Sequence, residues 1–251
     1  MARLYLRFAK RGYIRYTSHL DLLRLFKRAF KRTGVPLAYS QGYNPHPKMS
    51  FAQPLSLGYT AEQEFLEFYT YEDMPAEEIL ARMAPAMPEG LELSECRILD
   101  MAPKSMAAVV TGAEYSAALP ASANVTQEAL SALIGDYLAQ PEIVAMKKMK
   151  KTKRLEPVDI KPMIRSMRAI PGVWAPEIAM ELDSGSASNL SPELVLQTFL
   201  EKELPQVHRY DVEVCRKYLL FDPCIPHMTG VHLDHSKSKE GSEDEKGQAE
   251  G

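Results

Sequence analysis

Residues Arg3 to Lys10, RLYLRFAK, set Leu4, Leu6 and Phe8 on alternate positions with Arg3, Tyr5 and Arg7 between them. A period of two is that of a half-buried strand, here with a basic face turned outward. Within a few residues the period changes. In HLDLLRLFKRAFKR the apolar residues Leu22, Phe26, Ala29 and Phe30 recur at helical spacing, a pattern that gathers them on one face of a helix. The flanking residues agree with that reading. Ser18 stands where an N-cap belongs, Asp21 falls in the first turn where the helix dipole favours an acid, and Gly34 followed by Pro36 closes the far end. A strand feeding an amphipathic helix buries both apolar faces only by laying the helix on a sheet, so the chain is held to a mixed architecture.

The rest of the chain extends the pattern. VPLAYS reads as a second strand, EQEFLEFYTY as a third, MPAEEILARMAPAM as a helix and LELSECRILDM as a closing strand. That order, βαββαβ, is the ferredoxin-like one. The second half repeats it: AAVVTGAEYSAAL, the helix TQEALSALIGDYLAQ opened by Thr126, the strands EIVAMKKMK and APEIAMELD, the helix SPELVLQTFLEKE opened by Ser191 and Pro192, and HRYDVEVCRKYLLF. The expectation is an α+β protein of two tandem ferredoxin-like modules, residues 1–104 and 105–222, with a mostly disordered tail over 223–251. The tail's HSKSKEGSEDEKGQAEG has almost nothing apolar to anchor it. Residue identity between the halves is low, so the repeat is one of element order.

With 45% hydrophobic and 25% charged residues in 251, the composition is that of an ordinary soluble globular protein. No apolar run approaches the roughly 18 to 20 residues that cross a bilayer, and the N-terminus alternates with charge unlike a signal peptide. The expected location is the cytoplasm, away from membranes. Cys96, Cys215 and Cys224 are odd in number and widely spaced, which suits structural thiols rather than a disulfide framework or a zinc ribbon. The sequence lacks a CxxxCxxC segment, so no iron–sulfur cluster is expected from that motif, and no cofactor is expected in this chain.

A formal net charge of −3 conceals a segregation: residues 1–50 hold eleven Lys and Arg against a single acid, Asp21. Five of these cations, Arg24, Lys27, Arg28, Lys31 and Arg32, fall within nine helical positions, with no acid after Asp21 to form i,i+4 pairs. Like charges at that density repel one another unless an anion neutralises them, and nucleic-acid phosphate is the commonest such partner. A solvated outer face is the plainer alternative.

The loop YSQGYNPHPKMSF follows, from Tyr39 to Phe51. Asn44 and His46 each precede a proline and are driven to extended geometry, Pro45 and Pro47 fix their own φ, and Gly42 suits a turn with positive φ. Tyr39, Tyr43 and Phe51 offer stacking faces, while Ser40, Asn44, His46 and Lys48 offer polar groups, the mixture that reads single-stranded RNA. A second basic block runs from Lys147 to Arg168 and is densest at Lys147, Lys148, Lys150, Lys151, Lys153 and Arg154; it is either a longer backbone track or a solvated loop between strands. Asp159, within EPVDIKPMI, orients Lys161 or Arg154, or caps the turn after Pro157.

The weak catalytic candidates are His19, Asp21 and His46. The two histidines would serve as an acid–base pair for RNA cleavage, with Lys48 steadying the phosphate. Their spacing matches no zinc site, and no metal site is expected. The sequence contains no Gly-rich phosphate loop, GxSxG or HExxH.

The stretch YTSHLDLLRLFKRAFKRTGVPLAYSQGYNPHPKMSFAQPLSLG, Tyr16 to Gly58, resembles the N-terminal signature of the radical SAM-associated domain family, and KRLEPVDIKPMI resembles a later element of it. This is a bacterial domain of unknown function, found fused to or encoded beside B12-type radical SAM proteins. The resemblance spans roughly residues 2 to 220. It implies a radical SAM protein as partner, with the iron–sulfur cluster, S-adenosylmethionine and cobalamin held by that partner. It also implies a shared surface of His19, Asp21, Arg24, Ser40, Gly42, Asn44, His46, Lys48 and Asp159. The expected function is an accessory substrate-binding module that presents RNA or a ribonucleoprotein to the radical SAM enzyme. The rivals are a metal-independent RNA-processing or RNA-modifying enzyme using His19 and His46, and a protein–protein docking scaffold.

Overall fold

The computed structural model describes residues 1–99, 104–148 and 153–222. Lys150, Lys151, Cys224 and the tail 223–251 lie outside the described residues. The architecture is α+β, and its strands in chain order are β1 (Ala2–Lys10), β2 (Met49–Phe51), β3 (Thr60–Thr70), β4 (Leu91–Ile98), β5 (Val110–Ala118), β6 (Val144–Lys148), β7 (Leu155–Asp159), β8 (Ile164–Ile170), β9 (Glu177–Asp183) and β10 (Glu213–Phe221). The helices are α1 (His19–Thr33), α2 (Ala76–Met83), the single turn α3 (Met106–Val109), α4 (Gln127–Ala139) and α5 (Pro192–Glu203). One large sheet runs β4-β1-β3-β10-β5-β9-β8, with β2 added to β3, while β6 and β7 form a separate two-stranded sheet. Among the described residues no helix is long and apolar enough to cross a membrane.

Helix α1 forms as its sequence dictates. The Ser18 hydroxyl accepts from the Asp21 amide, and Gly34 closes the helix in the left-handed region at φ 70°, which a Cβ would disfavour. Leu22, Phe26, Ala29 and Phe30 lie buried against Leu4, Leu6 and Phe8 of β1 and Leu66 and Phe68 of β3. The second core centres on β5 and β9, covered by Leu130, Ile134 and Tyr137 of α4 and Val195, Leu196, Phe199 and Leu200 of α5.

Four strand expectations change. VPLAYS contributes only bridges, Leu37 to Thr70 and Tyr39 to Pro47, and the strand beside β3 is the three-residue β2, inside the stretch read as a loop. The outer edge of β3 is shared: β2 takes residues 66–68, and β10 takes Thr60 and Ala61 in parallel register, so little edge is left for a longer β2. EIVAMKKMK does form β6, but it pairs with β7 rather than entering the large sheet. The strand that pairs with β9 at the edge is β8, out of the segment read as a continuation of the basic block. Finally, the face of β1 holding Arg3, Tyr5 and Arg7 is not open to solvent: Tyr5 is 1% exposed, and the flanking arginines pair with Glu67 and Glu95.

Candidate nucleic-acid interface

Helix α1 turns Arg24, Lys27, Arg28 and Lys31 outward along one stripe, all exposed, opposite its buried apolar stripe. Among the described residues, Arg24 alone of these pairs with an acid, Asp21 at 2.8 Å. Asp21 in turn accepts from Ser18 at 2.7 Å. The Ser18 hydroxyl, then Arg24 and the nearby Arg28 charge, hold its carboxyl below the ordinary range. Among the described residues no carboxylate forms an ion pair with Lys27, Arg28 or Lys31. Several arginines and one lysine elsewhere do meet carboxylates. Arg3 meets Glu67 at 2.7 Å, Arg15 meets Glu213 at 2.9 Å, Arg165 meets Asp183 at 2.8 Å, Arg209 meets Glu193 at 2.7 Å and Lys217 meets Glu62 at 2.6 Å. Exposed pairs of this kind add little stability, but they do cancel charge. Among the described residues Lys27, Arg28 and Lys31 are left uncancelled.

The loop from Tyr39 to Lys48 interrupts the strand that edges β3. Ala38 donates to the Tyr69 carbonyl at 2.7 Å, the loop leaves, and Tyr69 donates to the Lys48 carbonyl at 3.0 Å where it returns. Ser40 closes the neck twice, its amide donating to the His46 carbonyl at 2.8 Å and its hydroxyl accepting from the His46 amide at 2.9 Å. The Tyr71 hydroxyl accepts from the Tyr39 amide at 3.1 Å. Gly42 has φ 127°, the positive value its place in the sequence suggested. Tyr43 projects fully into solvent, and Asn44 and His46 are exposed beside it. Lys48 sits 6.0 Å from the centre of the Tyr69 ring. Because Leu37 bridges Thr70 just after α1 ends, the loop leaves from the end of the sheet where α1 finishes.

His19 and His46 are not brought together. The His19 ring meets Phe51 edge-on at 5.2 Å, and Phe51 pairs with Leu66, whereas His46 lies past Tyr69, on the order of 10 Å of strand further along. The gap beside His19 is about 10 Å³, room for a water at most. Burial lowers the His19 pKa. Its folded value is thus below its unfolded one, so the unfolded chain takes up the proton first and stability falls as pH drops through the unfolded value of about 6.5. Denaturation at neutral and mildly acid pH should show a smaller loss for His19→Gln than for the wild type.

The second basic block splits. Lys147 is half-buried and donates to the Asn189 carbonyl at 3.3 Å, while Lys148, Lys153 and Arg154 are exposed. Asp159 accepts from the Ile143 amide at 2.9 Å and the Lys161 amide at 3.0 Å, so its carboxylate closes the β6–β7 ribbon and the turn that follows. No hydrogen bond or ion pair joins it to α1 or to the loop among the described residues.

The sequence reading did not single out a buried charge cluster at the seam between β3 and β10. Arg216, 1% exposed, faces Glu64, 3% exposed. Its Nε donates to Oε1 at 2.6 Å and a second N–H reaches the other oxygen, while the remaining donors take the Gln53 carbonyl at 2.9 Å and the Pro54 carbonyl at 3.2 Å. Burial works against this guanidinium's charge, but Glu64 more than offsets it and raises its pKa. Lys10, 1% exposed, donates to the carbonyls of Arg15 and Thr17 at 3.1 and 3.2 Å. Burial lowers its pKa, with Glu64 opposing and Arg216 reinforcing that shift. Lys10 and Arg216 spend most of their donors on protein acceptors, so the cluster fastens loops 12–17 and 53–54 to the sheet. Cys96 is likewise buried, its thiol pushed up to about 12 mainly by burial, as an unreactive structural cysteine requires.

A family model described as an uncharacterized protein conserved in bacteria (DUF2344) matches residues 3–192, and the chain belongs to that family. No curated protein matches. Among solved structures, an unknown protein from Galdieria sulphuraria is similar at 11% identity and a TM-score of 0.26, over 87% of this chain and 98% of that one.

Proposed function

We propose that this member of a bacterial family of uncharacterized proteins is a polyanion-binding accessory module, holding RNA or a ribonucleoprotein for a partner enzyme. One observation carries the reading: arginines across the sheet meet carboxylates, while among the described residues the outward row of α1 leaves Lys27, Arg28 and Lys31 without one. Arg24, Lys27, Arg28 and Lys31 grip phosphates, and the braced loop from Tyr39 to Lys48 presents Tyr43, Asn44 and His46 to a local feature of the strand. The exposed Lys148, Lys153 and Arg154 extend the track.

Each half is read as a ferredoxin-like module. In the first half the strand order is β4-β1-β3-β2, and in the second it is β10-β5-β9-β8 with the β6–β7 ribbon inserted. Both follow fourth, first, third, second. The partner is a radical SAM protein, which supplies the iron–sulfur cluster, S-adenosylmethionine and cobalamin. The separation of His19 from His46 favours binding over catalysis in this chain.

The test is affinity for single-stranded RNA as salt rises from about 50 to 200 mM. A steep fall is expected, because each phosphate contact releases counterions. Salt-insensitive binding, or no binding, contradicts the proposal.

A second observation favours protein contact elsewhere on the surface. Val173 and the chain's single tryptophan, Trp174, are each 84% exposed at the β8–β9 turn. A docking role for this turn requires the Trp174 fluorescence to shift to shorter wavelength when the radical SAM protein is added. An unchanged spectrum in a formed complex excludes this turn as the contact.

A further inference from the structure

We propose that the groove between α1 and residues 84–88 takes one nucleotide unit of a bound RNA, its phosphate among three guanidiniums and its base on an apolar floor. The inference rests on the polyanion reading above and gives it a specific subsite. The groove is about 600 Å³, within the range of small-molecule sites. It is lined by Arg28, Arg32 and Arg82 together with the apolar side chains Leu25, Met87 and Pro88.

The three guanidiniums keep donors for a ligand. Arg32 uses one N–H on the Ala86 carbonyl and Arg82 forms an ion pair with the Glu78 carboxylate, which cancels part of its charge, but each carries five N–H donors in a planar fork suited to phosphate. Arg28 forms no ion pair among the described residues. The contacts already made hold two of the three side chains in place across the groove, so little side-chain freedom remains to be lost on binding.

The floor decides the class of ligand. A phosphate alone satisfies the arginines and leaves Leu25, Met87 and Pro88 in water. An acidic peptide brings carboxylates but nothing planar to cover them. A nucleotide brings both, and a base stacks on apolar or guanidinium planes with little regard to sequence. Arg28 belongs both to this groove and to the outward row of α1, so an RNA strand on that row reaches the groove without leaving the surface.

The experiment uses the full chain and a fluorescently labelled oligouridylate, with adenosine monophosphate and a polyglutamate peptide as competitors. Adenosine monophosphate is expected to displace the RNA partly. Arg82→Ala is expected to weaken RNA binding roughly tenfold, the loss of one charged hydrogen-bonding partner, and to abolish that competition. RNA binding that persists unchanged in Arg82→Ala, with no competition on the wild type, overturns the groove while leaving the α1 reading standing. Displacement by polyglutamate but not by the nucleotide also overturns it, in favour of an acidic protein segment. Failure of the wild type to bind the RNA overturns both. The competition on the wild type holds the test open even if Arg82→Ala folds poorly.

Discussion

Arg216→Met should destabilise the protein by about 3–5 kcal/mol, the usual result of removing one partner from a buried ion pair. Glu64 is 3% exposed, and without its bidentate partner its carboxylate must either stay charged in a dry seam or take up a proton. The Gln53 and Pro54 carbonyls lose their donors in the same step. Against a typical total of roughly 5–15 kcal/mol, such a loss takes about a fifth or more of the stability. Guanidinium unfolding checks it. The double variant Arg216→Met with Glu64→Leu should recover part of the loss, since it leaves no orphaned charge. A single variant within about 1 kcal/mol of the wild type would mean that the seam is wetter or looser than the distances indicate.

The row on α1 should behave in the opposite way, large for binding and small for folding. Replacing Arg24, Lys27, Arg28 and Lys31 together by Gln removes four exposed cations without touching Leu22, Phe26, Ala29 or Phe30. At roughly 1 kcal/mol for each phosphate contact, RNA affinity should fall on the order of 10³-fold. Stability should hold or rise slightly, because like charges on one helix face repel by a few tenths of a kcal/mol per pair. Titration with labelled RNA and thermal unfolding of the same sample read both halves of the expectation. An intact fold with undiminished affinity would reduce the row to a solvated face.

How much of this was legible depended on whether the deciding interaction was local. Helix α1 was legible to its caps because spacing, Ser18, Asp21 and Gly34 all lie within one short segment. The positive φ of Gly42 was legible for the same reason. The edge of β3 was not. Whether VPLAYS or Met49–Phe51 pairs there turns on β10 occupying Thr60 and Ala61, a contact made from the far end of the chain. β8 was hidden because Arg165 and Arg168 look solvated in the sequence, whereas they meet Asp183 and Glu114 across the sheet. The Arg216–Glu64 pair did leave a trace. In EVCRKYLLF, Arg216 shares the parity of the buried Val214, so a charge stood where the alternation asks for an apolar side chain. The groove with Arg82 left no trace, since it joins α1 to a turn some fifty residues later.

The most direct measurement is photo-crosslinking of the full chain to a 4-thiouridine oligonucleotide, with the attached peptides identified by mass spectrometry. The account requires adducts within residues 19–33 and 39–48, with Tyr39 and Tyr43 among the modified side chains, and their loss as salt is raised. Adducts confined to other segments, or a pattern indifferent to salt, would contradict the claim that the unpaired cations of α1 hold a polyanion.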